Sequence, residues 1–376
     1  MAGIYIHIPF CKQACYYCDF HFSTSLSRKE EMVQALASEL QLRSAEFKNV
    51  TVQTIYFGGG TPSLLAIEEV ELLIDVINKN YKVIQNPEIT LEANPDDLSK
   101  KQIQKLAKTP LNRLSIGIQS FFDSDLRLMN RAHSAKEAGE SLQVATKYFD
   151  NISIDLIYGI PDASDEQWMS NIETALSFDV PHISSYALTV EPKTALENFI
   201  KKGIVKDVDD EQAQRQFTLM VERLTHDGFV HYELSNFGKE RFFSRNNSAY
   251  WQGKPYLGIG PSAHSFDGEK RSWNIRNNIK YIKSIANKEV PSTSEILTKT
   301  DQFNEAIMTG LRTMWGVSLE KIEAVFGSNY KKYLLQQAEI YIKQDLLYID
   351  DNKLLTTQKG KFLSDGISSD LFKLNL

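Results

Sequence analysis

Six β-rich runs in the first half of the chain alternate with helical patterns, and this alternation constrains the fold more than any other feature. The runs are GIYIHI, TVQTIYF, EITLEAN, RLSIGIQ, NISIDLIYGI and HISSYALTV. Between the first two, Met32, Val33, Leu36, Ala37 and Leu40 fall along one helical face, and Ser27 and Glu30 have capping-box spacing. The segments IEEVELLIDVINKNY and SAKEAGESLQVATKYF repeat this pattern after later runs. Strands alternating with helices predict a parallel sheet, wound either as an open sheet or as a barrel. The unusual residues favour the barrel. A cysteine loop follows the first run, GGGTP follows the second, and Glu92 lies in the third. Gln119 ends the fourth run, Asp155 lies in the fifth, and ALTVEP closes the sixth. Barrel active sites are built at these C-terminal strand ends. Six units in place of eight predict an incomplete (β/α)6 barrel.

The texture changes near residue 235. Residues 236–298 are rich in Gly, Asn, Ser and aromatics and read as a connecting segment of loops and short strands packed on the barrel. Helical patterns return over 299–376, and a hairpin pattern near the end predicts a small, mostly helical, winged-helix-like domain. Residues 1–235 would form the α/β core. The formal net charge of −6 gives no global basic field for nucleic acid. No run approaches the roughly 18 apolar residues of a membrane span. The N-terminus reads as a strand and not as a secretory leader, so the expected location is the cytoplasm.

In a reducing compartment, clustered cysteines point to a metal or to catalysis rather than to disulfides. Cys11, Cys15 and Cys18 are the only three cysteines of the chain. Zinc would need a fourth ligand, for which His7, Asp19 or His21 is available. An iron–sulfur cubane held by three thiolates would keep one iron open to another ligand. Gly59, Gly60 and Thr61 follow the second run, where glycine lets backbone approach a neighbour closely. Glu92 and Asp155 are carboxylates among apolar strand residues, and such ions must be paired or solvated. Gln119 and Arg131 raise the same question, with Arg131 expected in the helical region after the fourth strand.

The cysteine spacing, between IHIPF and YYCDF, resembles that of the radical S-adenosylmethionine (SAM) superfamily. This resemblance implies a radical SAM barrel with a [4Fe-4S] cluster on Cys11, Cys15 and Cys18, and SAM on the open iron. In that superfamily the reduced cluster cleaves SAM to a 5′-deoxyadenosyl radical. Ten blocks in order narrow the likeness, among them YFGGGTPS, LEANPDD, RLSIGIQSF, IDLIYGIP and YLGIGPSAH. They resemble the family of oxygen-independent coproporphyrinogen III oxidase and the related HemW-type heme chaperones. By that resemblance Tyr5, Gly59, Glu92 and His264 would contact the cluster-bound SAM. Tyr17, Gly60, Thr61, Gln119, Arg131, Asp155 and Ala187 would surround a second SAM. Phe20 stands where the oxidase has a further cysteine, and the chain begins almost at its first strand. Both features favour the chaperone branch, which implies heme, a heme-accepting protein and an electron donor as partners. An oxidase and a zinc-stabilised binding protein are the alternatives. The branch's His-Asn-x-x-Tyr-Trp motif has Asn246 in place of the histidine, with Asn247, Tyr250 and Trp251 kept as a candidate heme region. His7, His21, His133 and His231 are the other candidates for ligating the iron.

Overall fold

The computed structural model of the chain describes residues 2–374. Twelve of its strands make one sheet. In chain order they are β1 (Ala2–Ile8), β2 (Thr51–Gly59), β3 (Lys82–Ala93), β4 (Arg113–Gln119), β5 (Ile152–Tyr158), β6 (His182–Ala187), β7 (Val230–Glu233), β8 (Asn236–Gly238), β9 (Tyr256–Ile259), β10 (His264–Phe266), β11 (Lys270–Asn274) and β12 (Ser292–Ile296). Their spatial order is β12-β11-β10-β9-β1-β2-β3-β4-β5-β6-β8-β7. Strands β1 to β6 run parallel in sequence order, as the βα alternation predicts. The order has two free ends, so the barrel is incomplete.

Each parallel strand is two-faced. Ile4, Ile6 and Ile8 of β1 are at most 1% exposed, while Gly3, Tyr5 and His7 on the opposite face line a cavity. The same phase holds for Ile89 and Leu91 against Glu92, for Leu114 and Ile116 against Arg113 and Ser115, and for Ile154 and Leu156 against Asp155. Parallel strands covered on both faces read as continuous apolar runs. Here the second face is polar because it borders a hollow. Burying one isoleucine contributes about 1.5–3 kcal/mol, so a register slip of one residue would turn the apolar face inward and lose it.

The helix Lys29–Leu42 buries Met32, Val33, Leu36, Ala37 and Leu40 on the face the sequence predicts. Its start differs from expectation. Arg28 is the N-cap, with no side-chain cap, and the Ser27 hydroxyl pairs with Ser25. A capping box forms instead at Ser134 and Glu137, where the helix Ala135–Ala145 begins. The segment after residue 235 is more than a cover. Strand β9 pairs in parallel with β1 from Gly3 to Ile6 and extends the sheet past its first strand. Buried Glu39 fastens this segment to the first helix, accepting from Gly260 N at 2.8 Å and from Asn274 Nδ2 at 2.7 Å.

A second apolar cluster gathers Phe303, Ile307, Leu311, Leu334, Leu354 and Ile367. Around it stand the helices Lys299–Leu311, Leu319–Phe326, Ser328–Lys343 and Ser364–Asp370. A small sheet of β13 (Val317–Ser318), β14 (Leu347–Asp350) and β15 (Lys353–Thr356) completes it, in the order β13-β15-β14.

Candidate functional site

The cysteines lie in the loop that leaves β1. Cys11 N donates to Ser23 O at 3.1 Å and Ser23 N to Pro9 O at 2.9 Å, so the loop folds back on its own entry. Tyr16 N donates to Met129 O at 3.1 Å, and Asn130 Nδ2 donates to Ala14 O at 2.7 Å, which docks the loop on the turn that ends the short helix Asp123–Leu128. The three thiols are free, partly buried, and line a cavity of about 160 Å³. Burial pushes Cys18 up to about 11 and raises Cys11 as well. A thiolate-binding cationic centre would reverse both shifts. Among the described residues, no three His, Cys, Asp or Glu side chains are grouped to hold a single metal ion. Three thiols around a hollow suit a cluster of several irons better than a tetrahedral zinc, whose thiolates converge to about 2.3 Å from one point. The three candidates for a fourth zinc ligand face elsewhere. His7, Asp19 and His21 line a larger, neighbouring cavity, and His7 Nε2 pairs with His21 O at 2.9 Å.

The glycine run packs against the root of this loop. Gly60 N donates to Ile8 O at 2.8 Å, and a Cβ at Gly60 would come within 2.6 Å of Phe10 O. Gly59 has φ +106°, and a Cβ there would strike the His7 ring at 2.4 Å. These two glycines therefore bring β2 against the cysteine loop while lining the thiol cavity themselves. Arg131 completes the wall. It lies in the turn before Ala135–Ala145, not in a helix. Its guanidinium donates to Asn94 Oδ1 at 2.6 Å, to Gly117 O at 2.9 Å and to Cys15 Sγ at 3.4 Å. Gln119 closes β4 in a left-handed conformation, φ 65°, which costs a non-glycine residue about 1–3 kcal/mol.

The larger cavity, about 880 Å³, occupies the hollow of the barrel. Phe20, Gly59, Glu92, Ser115 and Asp155 line both cavities, so the two adjoin. Glu92 accepts from Tyr56 OH at 2.8 Å and from Gly59 N at 3.1 Å. Burial pushes its carboxyl up to about 7, and nearby Asp155 adds to the rise. Burial likewise pushes Asp155 up to about 6, against the opposing influence of nearby Ser184 and the charge of Arg113.

Tyr5, Glu92, Asp155, His264, Asn247 and Tyr250 thus line the larger cavity. Tyr17, Gly60, Thr61, Gln119 and Arg131 line the smaller one with the cysteines. Two residues lie outside both. Ala187 ends β6 opposite Tyr158 and packs on the main core. Trp251 packs edge-on against Tyr250 at 5.1 Å, beneath the Arg312 guanidinium at 4.8 Å. Asn246 lines the larger cavity, with its Oδ1 held by Thr54 Oγ1 at 3.0 Å. His133 and His231 are packed away from both cavities, bonded to Ile118 O and Leu234 O at 3.0 Å each. Sequence reasoning passed over Tyr56, Arg113, Ser184, Tyr186, Arg271 and Arg276 in the larger cavity. The signal for Arg113 was present: a charge in phase with Ser115 on an otherwise apolar strand.

Two family models match the chain, the radical SAM superfamily over residues 5–175 and the HemN C-terminal domain over residues 297–363. The heme chaperone HemW of Bacillus subtilis is 34% identical over 372 residues, which are 98% of this chain and 98% of that protein. The heme chaperone HemW of Lactococcus lactis is 34% identical over 97% of this chain and 98% of its own length. The structure of coproporphyrinogen III oxidase (HemN) from Escherichia coli superposes with a TM-score of 0.85 at 22% identity, covering 99% of this chain and 90% of that one, and so shares the fold. Membership of the radical SAM superfamily implies a [4Fe-4S] cluster and SAM, and three thiols line the smaller cavity. A near full-length match at this identity places the chain in the family of HemW heme chaperones, within the radical SAM superfamily.

Proposed function

We propose that the chain binds heme in the larger cavity and transfers it to an acceptor protein in the cytoplasm. The observation that carries this reading is a hollow of about 880 Å³ adjoining the thiol cavity, with aromatic and basic walls. Tyr56, Tyr186 and Tyr250 offer flat apolar surface to a macrocycle, while the unpaired guanidinium of Arg113 offers charge to its carboxylates. The names of the B. subtilis and L. lactis relatives support the same reading. No helix among the described residues is long and apolar enough to cross a membrane.

Cys11, Cys15 and Cys18 would hold the [4Fe-4S] cluster, which, reduced by an external electron donor, supplies single electrons to SAM. Glu92 would hold a cationic or hydroxyl group of SAM where the two cavities meet. Arg131, fixed by Asn94 and Gly117, would keep positive charge beside Cys15. Phe20 is 67% exposed and lines both cavities, at the position where the oxidase has a further cysteine. The expected activity is therefore heme transfer and not porphyrinogen decarboxylation.

Anaerobic reconstitution followed by heme titration tests this. One heme per chain at micromolar affinity, and no turnover of coproporphyrinogen with SAM, is the expected result. Failure to take up heme would remove the reading. Zinc without labile sulfide in anaerobically purified protein would overturn the cluster assignment.

A further inference from the structure

Arg113 is a buried charge of the larger cavity whose environment is unfinished. It is 2% exposed, yet its guanidinium makes no hydrogen bond and no ion pair within 4.0 Å among the described residues, and its Nε is buried without a partner. Thr90, its register partner on β3, also has a buried hydroxyl without a partner. Glu92 and Asp155 feel the guanidinium through space but do not contact it. A buried charge is costly unless paired and hydrogen-bonded. The other arginines of this cavity are already engaged: Arg271 with Glu305 and Glu295, and Arg276 with the backbone oxygen of Asp19.

We infer that Arg113 is an anion anchor, which receives a carboxylate of the cargo on the cavity face of β4. A guanidinium presents paired N–H donors that match a carboxylate, and in a site shielded from water such a pair is strong. The inference rests on the heme reading for its cargo, since heme carries two propionates. It predicts that the cargo enters with a carboxylate leading toward the middle of β4, its ring plane toward Tyr56 and Tyr186.

The test uses full-length protein, native and Arg113→Gln, with Arg113→Lys as the conservative variant. In the first arm, sodium propionate raises the melting temperature of the native protein above a sodium chloride control of equal ionic strength. This gain is lost in Arg113→Gln and partly kept in Arg113→Lys. In the second arm, heme binds Arg113→Gln roughly tenfold to a hundredfold more weakly than native protein. Heme dimethyl ester, which lacks the carboxylates, binds native protein about as weakly. Equal propionate stabilisation in native and Arg113→Gln protein overturns the anchor. So does equal binding of heme and its ester by native protein, or a loss confined to SAM binding. A positive first arm without any heme uptake keeps the anchor and discards heme as the cargo.

Discussion

Two carboxylates at the meeting point of the cavities are held near neutrality in charge. Burial pushes Glu92 up to about 7 and Asp155 up to about 6, so both titrate near physiological pH. A group that must be ionised to hold a cation loses that hold when protonated. SAM affinity of the reconstituted protein is therefore expected to weaken as pH falls below about 7, approaching tenfold per unit, and Glu92→Gln should flatten the profile. Equal affinity at pH 8 and pH 6 would remove Glu92 from contact with SAM. Among the cavity histidines, His7 is bonded through both ring nitrogens, to Tyr5 OH and His21 O, and His21 Nε2 is bonded to Asn278. His264 has no hydrogen-bond partner among the described residues and stacks on Trp273 at 6.0 Å. Under the heme reading its unpartnered imidazole is the one free to ligate iron. His264→Ala should shift the Soret band of bound heme, whereas an unshifted band would mean ligation elsewhere. The cysteines were legible from their close spacing, and Glu92 and Asp155 because each is a carboxylate out of place in a local apolar pattern. The fates of Asn246 and the histidines were not, because Thr54, Asn278 and Ile118 meet them only through the fold.

The helix Arg245–Trp251 presents Asn246, Asn247 and Tyr250 to the larger cavity. It is held from both sides of its first turn. Ser244 Oγ accepts from Asn247 N at 3.2 Å. The buried carboxylate of Glu88, on β3, accepts from Arg245 N and Asn246 N at 3.0 Å each. A carboxylate at a helix N-terminus satisfies backbone donors that the helix cannot and complements its dipole. Glu88→Ala should cost about 1–3 kcal/mol, seen as a melting temperature lower by several degrees. An unchanged melting temperature would mean that water replaces the carboxylate without loss. The sequence had suggested loops here, since a short helix amid Gly, Asn and Ser has no periodicity to reveal it. The carboxylate that seals its first turn lies 157 residues away, a distance that no local pattern spans. The long helices and parallel strands were legible because their burial is periodic.

At the level of the molecule, Arg312 joins three parts of the structure. It pairs with buried Glu233 on β7 at 3.2 Å and with Asp365 at 2.6 Å, and its guanidinium covers the Trp251 ring. Removing one partner of a buried pair leaves an uncompensated charge, so Arg312→Ala should destabilise by about 3 kcal/mol. Chemical denaturation of Arg312→Ala, and of the double variant with Glu233→Gln, measures this, and the double variant should recover much of the loss. Equal midpoints for all three proteins would show the pair to be without weight. The overall α/β plan was readable from the βα alternation, but the place of β9 was not, because a four-residue strand following 255 residues carries no sign of its neighbour. That place has a consequence for synthesis. During translation β1 emerges first, with its cysteine loop behind it, and pairs on one side with β2. Its other side stays an open template for wrong partners until residues 256–259 leave the ribosome. A nascent chain thus carries its three thiols beside an unguarded edge for most of its elongation, although every residue lining the thiol cavity lies before residue 156.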